Sequence, residues 1–377
     1  MASNNRHRRV GIVSTAQTAW RSAWPEAQHI DLISSAVTRA LKGSGLRIED
    51  VDFVIDSGSD VLDGRSISNC GFLGAMGAHH KEESRVEDDG LWAALYGVTK
   101  IASGAADVGL IIAYSKPSES DVSKFYTTMA DPFCQRPVGL DEVTASGLMA
   151  QQYLHKFGLR EDDLAEVAAS AWHKARSNTN VEFDTAPTQS DVMGSPMVAS
   201  PLRQLMMARQ VDGAVAIVLA SEEFARRITP APVWVTGMGT SMDGNVFAMR
   251  EPGLTSCAAA ANMAYQRAGI EPAKLGLAEV SATSVVAELL SLEALGLAPP
   301  GRAIDLYRGG GKGPAVNRSG GALPANPIMA TGLVRLAEAA EQLWGRRPGG
   351  APHAPNAGVH ASSGIGAQSH CVFVVEV

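Results

Sequence analysis

The sequence predicts an α/β protein of two similar halves, each a sheet flanked by helices, with an inserted region in the first half. Three observations carry this. Ala-rich helical stretches alternate with short apolar strand-like runs throughout the 377 residues, a pattern that implies layered sheets and helices. One helix–strand unit recurs far along the chain, and a second matched unit follows it in the same order in both halves.

The first matched unit starts at Ala36 and again at Ala260. AVTRALKGSGLRIEDVDFVIDSGSD pairs with AANMAYQRAGIEPAKLGLAEVSATS. Ala36 corresponds to Ala260, Ala40 to Ala264, Gly45 to Gly269, Leu46 to Ile270 and Val51 to Leu275. Alanine favours the helix and close packing, and each glycine is placed to end it in a left-handed cap. An apolar strand follows in each copy, VDFVIDS and LGLAEVS. The second unit begins at Gly90-Leu91 and Gly332-Leu333, opening GLWAALYGVTKIASG and GLVRLAEAAEQLWG, and the strands VGLIIAYS and HCVFVVEV come after. The halves divide as 1–228 and 229–377. Between Lys116 and Pro201 lies the insertion, with helices expected over Thr144–Phe157 and Asp163–Ser177; such segments on a rigid scaffold commonly carry specificity.

Composition excludes several classes. The formal charge of -7 argues against nucleic-acid binding, which needs a basic face. The Arg6–Arg9 cluster reads as a solvated tail. No run approaches the roughly 20 apolar residues of a membrane span, and no signal core follows the N-terminus, so a cytoplasmic location is expected. Cys70, Cys134, Cys257 and Cys371 have no metal-ligand spacing and read as reduced structural thiols. The Gly309–Gly313 run does not match a phosphate-loop spacing and reads as a connection.

Three strings, GLWAALYGVTKIASGAADVGLIIA, RQVDGAVAIVLASEEFA and NRSGGALPANPIMATG, together with the tandem halves, resemble the thiolase superfamily, most of all its sterol-carrier and lipid-transfer members. The resemblance spans the whole chain. It implies a layered α-β-α-β-α sandwich, an acyl-CoA as ligand with coenzyme A entering as part of the substrate, no tightly bound cofactor, and no metal. It also implies a homodimer, or a heterodimer with another thiolase-fold subunit.

Four blocks supply thiolase chemistry, and each is altered here. The nucleophile block reads RVEDDGL, which puts Glu87 in the cysteine slot at a helix start, where negative charge is favoured. Glu87 is either part of a capping cluster or a general base. The second block reads AEVSATS, with Ser281 in the Asn/His slot and Ala282 in the acidic one. The third, GGALPANPIMATG, lacks its histidine; Asn326 stands before Pro327 as a candidate oxyanion donor, and Gly320 and Gly321 are kept as site-shaping glycines. The fourth, HASSGIGAQSH, keeps Gly364 and Gly366 and brings His360 near the slot of the second cysteine, where its ordinary pKa suits proton transfer.

With these substitutions, acyl transfer through an acyl-cysteine lacks its nucleophile. The first functional reading is therefore a non-catalytic partner in a heteromeric thiolase or acyltransferase complex. The alternative is a cysteine-independent carbon–carbon lyase, a retro-aldolase acting on an acyl-CoA. Lyases of this kind work with a small OB-fold acyl-CoA-binding companion and place a tyrosine in the fourth block, where this chain has none. A third reading, a decarboxylating or hydrolysing enzyme based on Glu87, has no residue of its own in support.

Overall fold

The computed structural model describes residues 8–309, 313–347 and 354–377. The centre of the Gly309–Gly313 run and Arg6 of the basic cluster lie outside them.

The first half begins with strand β1 (Val10–Gln17), helix α1 (His29–Ser44), strand β2 (Phe53–Ser57), the short helices α2 (Asp60–Asp63) and α3 (Leu73–Met76), and strand β3 (Glu82–Val86). Helix α4 (Gly90–Ala102) and strand β4 (Val108–Ser115) follow. The insertion then contributes α5 (Val122–Met129), α6 (Glu142–Phe157), α7 (Glu161–Ala175), α8 (Gln189–Gly194) and a small hairpin of β5 (Met197–Ala199) and β6 (Leu202–Arg203). Strand β7 (Gly213–Ser221) and helix α9 (Glu222–Ile228) come next. The remainder runs β8 (Val233–Met242), α10 (Thr255–Ala268), β9 (Leu277–Val280), α11 (Val285–Ala294), β10 (Ala315–Val316), α12 (Thr331–Leu343), β11 (Asn356–Ser363) and β12 (Ser369–Glu376).

The strands hydrogen-bond in the order β10-β9-β11-β12-β8-β1-β7-β4-β2-β3. Read outward from the β1–β8 seam, β1-β7-β4-β2-β3 and β8-β12-β11-β9-β10 are the same order. Parallel and antiparallel pairings match as well: β2 is parallel to β3 and β4, β9 to β10 and β11. β4 and β7 are buried at every residue, as strands covered by helices on both faces must be. Helices α4 and α12 lie together in an apolar core between the two halves of the sheet, with α1 on the outer face of the first half and α10 and α11 on that of the second. These are the five layers of the thiolase fold.

The matched glycines do the same work in each half. Gly45 and Gly269 close α1 and α10 in the left-handed conformation, at φ 70° and 66°. Gly90 and Gly332 let α4 and α12 cross at their first turns. A Cβ on Gly90 would stand 2.6 Å from that of Leu333, and one on Gly332 would stand 2.9 Å from that of Leu91. Side chains do not fit there. The buried flank of α12 is held by a polar knot: Nη1 of Arg335 donates to Glu279 Oε2 at 2.9 Å and to the Ser319 hydroxyl at 2.7 Å, and Gln342 donates to Glu279 Oε1 at 2.8 Å.

Candidate active site

Because α4 and α12 meet N-terminus to N-terminus, two sets of free backbone N–H groups face one point. Asp89 occupies it. As the N-cap of α4 it accepts from the Leu91 amide at 2.9 Å, and it accepts from Gly332 of α12 with both oxygens at 3.0 Å. Burial pushes its carboxyl up to about 7, against the pull of those amides. Its geometry is saturated, so its first role is to clamp the two central helices.

Asp89 also lines a narrow cleft of about 50 Å³ with Glu142, Tyr126, Ser281, Thr283 and Asn326. Glu142 is the first residue of α6, which starts two residues earlier than the sequence pattern indicates. It accepts from the Gly366 amide at 2.7 Å, from the Ser146 hydroxyl at 3.3 Å and from the Thr283 hydroxyl. Burial pushes this carboxyl also up to about 7, and the three donors oppose the shift. Two of them are hydroxyls that can turn, so Glu142 is freer than Asp89 to take and give a proton. Tyr126 arrives on α5, and Glu142 acts on it electrostatically.

A second cavity, of about 540 Å³, shares a wall with the cleft: Gly366 lines the larger space, and Gly364 and Ala367 line the cleft. Lys156, Phe157, Phe247 and Arg250 supply cations and aromatic faces there.

The residues expected from sequence divide into three groups. Ser281, Asn326, Gly364 and Gly366 are brought together at the cleft and its wall. Asn326 accepts from the Thr331 hydroxyl at 2.6 Å through Oδ1, which turns its NH₂ group to other partners. Gly320 and Gly321 are buried elsewhere: a Cβ on Gly320 would meet Ala175 of α7, and one on Gly321 would meet Asn317. They shape a turn, not the site.

Glu87 and His360 lie away from the cleft. The Glu87 side chain is half exposed, accepts from the Asp60 amide at 2.7 Å and pairs with Arg85, and does not line the cleft. The residue that turns inward is two positions later, where the helix cap begins. His360 is fully buried, but on the opposite face of its sheet. Side chains alternate along β11, so Ala361 faces the central helices and His360 faces away; the chain reaches the cleft at Ser362 and Ser363. Glu87→Gln is accordingly expected to leave turnover within about twofold of wild type and stability within ~0.5 kcal/mol, as for an exposed ion pair. Parallel kinetics and denaturant titration check this; a hundredfold loss of rate would return Glu87 to the chemistry.

Missed by sequence reasoning were Asp89, Glu142 and Tyr126. Asp-Glu before a helix reads as capping chemistry, and for Asp141 that holds, since it accepts from the Thr144 amide at 2.8 Å. Nothing local says that its neighbour crosses to Gly366. Of the residues lining the cleft none is a cysteine; Cys70 and Cys134 are exposed, and Cys257 and Cys371 are buried in the cores.

Comparison with known proteins bears on this geometry. Residues 239–376 match the family model described as thiolase C-terminal domain-like. The chain is 26% identical over 353 residues to an acetyl-CoA acetyltransferase of Methanothermobacter thermautotrophicus, covering 90% of this chain and 91% of that one. It is 27% identical over 342 residues to the 17-hydroxy-3-oxo-4-pregnene-20-carboxyl-CoA lyase of Mycobacterium tuberculosis, covering 83% and 86%. Among solved structures, the Ltp2–ChsH2(DUF35) aldolase superposes over 98% of both chains with a TM-score of 0.83 at 22% identity, a likeness of fold. Among the described residues, no helix is long and apolar enough to cross a membrane.

Proposed function

We propose that this thiolase-like, acyl-CoA-handling chain is a cysteine-independent carbon–carbon lyase that cleaves a 3-hydroxyacyl-CoA by a retro-aldol step. The observation that carries the proposal is the cleft itself. It holds a buried carboxyl shifted to about 7, a phenol and hydrogen-bond donors, and it holds no thiol. A carboxyl near neutrality suits general acid–base work. The similarity to a CoA-thioester lyase over most of the chain supports the same reading.

In the proposed reaction, Glu142 as carboxylate takes the proton of the substrate 3-hydroxyl. The Cα–Cβ bond breaks, its electron pair passes to the thioester as an enolate, and a ketone or aldehyde leaves. Asn326 and Ser281 are positioned to donate to the developing enolate oxygen. Tyr126 protonates Cα and recovers its proton from Glu142, so the acid and base end as they began. The phenol that the family's lyases place in the fourth block is thus supplied here from α5. The larger cavity takes the coenzyme A portion, with Lys156 and Arg250 toward its phosphates. We extend the proposal to a dimer working with a small companion chain, as the paired name of the Ltp2–ChsH2(DUF35) aldolase invites. The non-catalytic-partner reading rested on the emptied cysteine and histidine slots, and a cleft furnished with other acid–base groups weighs against it.

The test is to incubate the chain, alone and co-purified with the products of neighbouring genes, with a panel of 3-hydroxyacyl-CoAs and follow products by mass spectrometry. Paired release of a carbonyl compound and a shortened acyl-CoA is expected. Turnover seen only with a cysteine-bearing thiolase subunit, and indifferent to Glu142→Gln, would restore the partner reading instead.

A further inference from the structure

Behind the cleft, on the outward face of the second half of the sheet, three side chains with metal-binding atoms converge. Cys257 comes from the first turn of α10, His360 from β11 and His370 from β12, and all three are fully buried. One ligand-type atom from each lies within 4.8 Å of the other two. The imidazoles meet at Nε2 of His360 and Nδ1 of His370, 3.0 Å apart. Around them the layer is apolar, with Val280, Val372 and Val374 in the same cluster.

Hydrogen bonding alone does not account for this arrangement. A neutral imidazole carries one N–H. The shared contact uses the N–H of one ring, so the other ring's N–H must sit on its outer nitrogen. Both outer nitrogens, Nδ1 of His360 and Nε2 of His370, lack a hydrogen-bond partner. Buried polar atoms without partners are uncommon, and each calls for a reason.

A cation accounts for the pair of nitrogens that face each other. Held on the two facing nitrogens, it takes both lone pairs at once and leaves each outer nitrogen as an N–H. Zinc–nitrogen bonds of about 2.0–2.1 Å at a tetrahedral angle set the nitrogens about 3.3–3.4 Å apart, so the rings need to part by only a few tenths of an ångström. Cys257 lies in the first turn of a 14-residue helix, and coordination to a dication deprotonates a thiol outright. The charge of Asp243 acts on both Cys257 and His370. Asp243 also lines the larger cavity. The mixed imidazole–thiolate set suits zinc.

We propose that Cys257, His360 and His370 form a buried site for a zinc-type divalent cation that pins α10 to β11 and β12 directly behind the cleft. The consequence reaches the reaction site through one bond, since the His360 carbonyl accepts from the Ser281 amide at 3.0 Å. The site stands independently of the lyase reading, because none of its three ligands lines the cleft.

The full-length chain, stripped of metal and kept reduced, should be titrated with Co²⁺ as a spectroscopic stand-in. The expected result is a thiolate-to-cobalt charge-transfer band with tetrahedral visible bands, saturating near about one equivalent. The bands should vanish in Cys257→Ser and His370→Gln and persist in Cys134→Ser. Zn²⁺ should displace Co²⁺ and raise the Tm of the wild type but not of Cys257→Ser. Absence of a charge-transfer band in the wild type, or a band that survives Cys257→Ser, would overturn the proposal.

Discussion

Replacing Glu142 with Gln is expected to lower kcat about 10²- to 10⁴-fold, the range associated with loss of a positioned acid–base group, while the protein folds and binds acyl-CoA as before. The amide is nearly isosteric and can still accept from Gly366, so packing survives and only the titrating proton is lost. The sign of the pH dependence follows from the role. The base must be ionised to accept the hydroxyl proton, and burial sets its pKa at about 7. The kcat/KM of the wild type should therefore rise with pH through neutrality and level off above it. Glu142→Gln should lose that rise. A profile that keeps its acidic limb in the variant would move the base elsewhere, with Asp89 the first candidate because its carboxyl also sits at about 7. Rate measurements from pH 5.5 to 8.5 with one competent substrate decide between them.

Replacing Arg335 with Met should produce the largest loss of stability. Arg335 and Glu279 are both fully buried, at 1% and 0% side-chain exposure. Removing the guanidinium leaves the Glu279 carboxylate in the core between α12 and β9 with only Ser319 and Gln342 as donors. Breaking a buried pair in this way costs about 3–5 kcal/mol, mostly as the desolvation of the abandoned charge. Changing both partners, Arg335→Met with Glu279→Gln, should recover a substantial share, because no unpaired charge is then left inside. Equilibrium urea unfolding of the single and double variants measures both. A single-variant loss under about 1 kcal/mol would mean that water reaches Glu279 and that the knot contributes little.

Much of the architecture was legible before any coordinates. Gly45 and Gly269 cap helices because a left-handed residue without Cβ is a local requirement, visible at a matching spacing. Gly90 and Gly332 stand out for the same reason, although their purpose, letting two helix ends touch, is visible only in three dimensions. Ser281, Asn326 and Gly364 line the cleft, and each lies on a turn or strand end whose neighbours are themselves distinctive in sequence. Glu87 and His360 stand outside the cleft by small offsets in sequence. One residue along a strand reverses the face of a side chain, and two residues at a helix entrance separate a solvent-facing carboxylate from a buried one.

Sequence by itself thus determined the fold class and the duplicated order of elements, properties carried by short-range pattern. Tertiary structure decided which acids and which phenol line the cleft. Glu142 owes its raised pKa to burial, against the pull of the Thr283 hydroxyl, of the Gly366 amide 224 residues away and of the Ser146 hydroxyl. Cys257, His360 and His370 form a cluster only because α10 packs across two neighbouring strands. Desolvation and convergence are properties of packing, and a linear pattern of residue types does not encode the distances on which they depend.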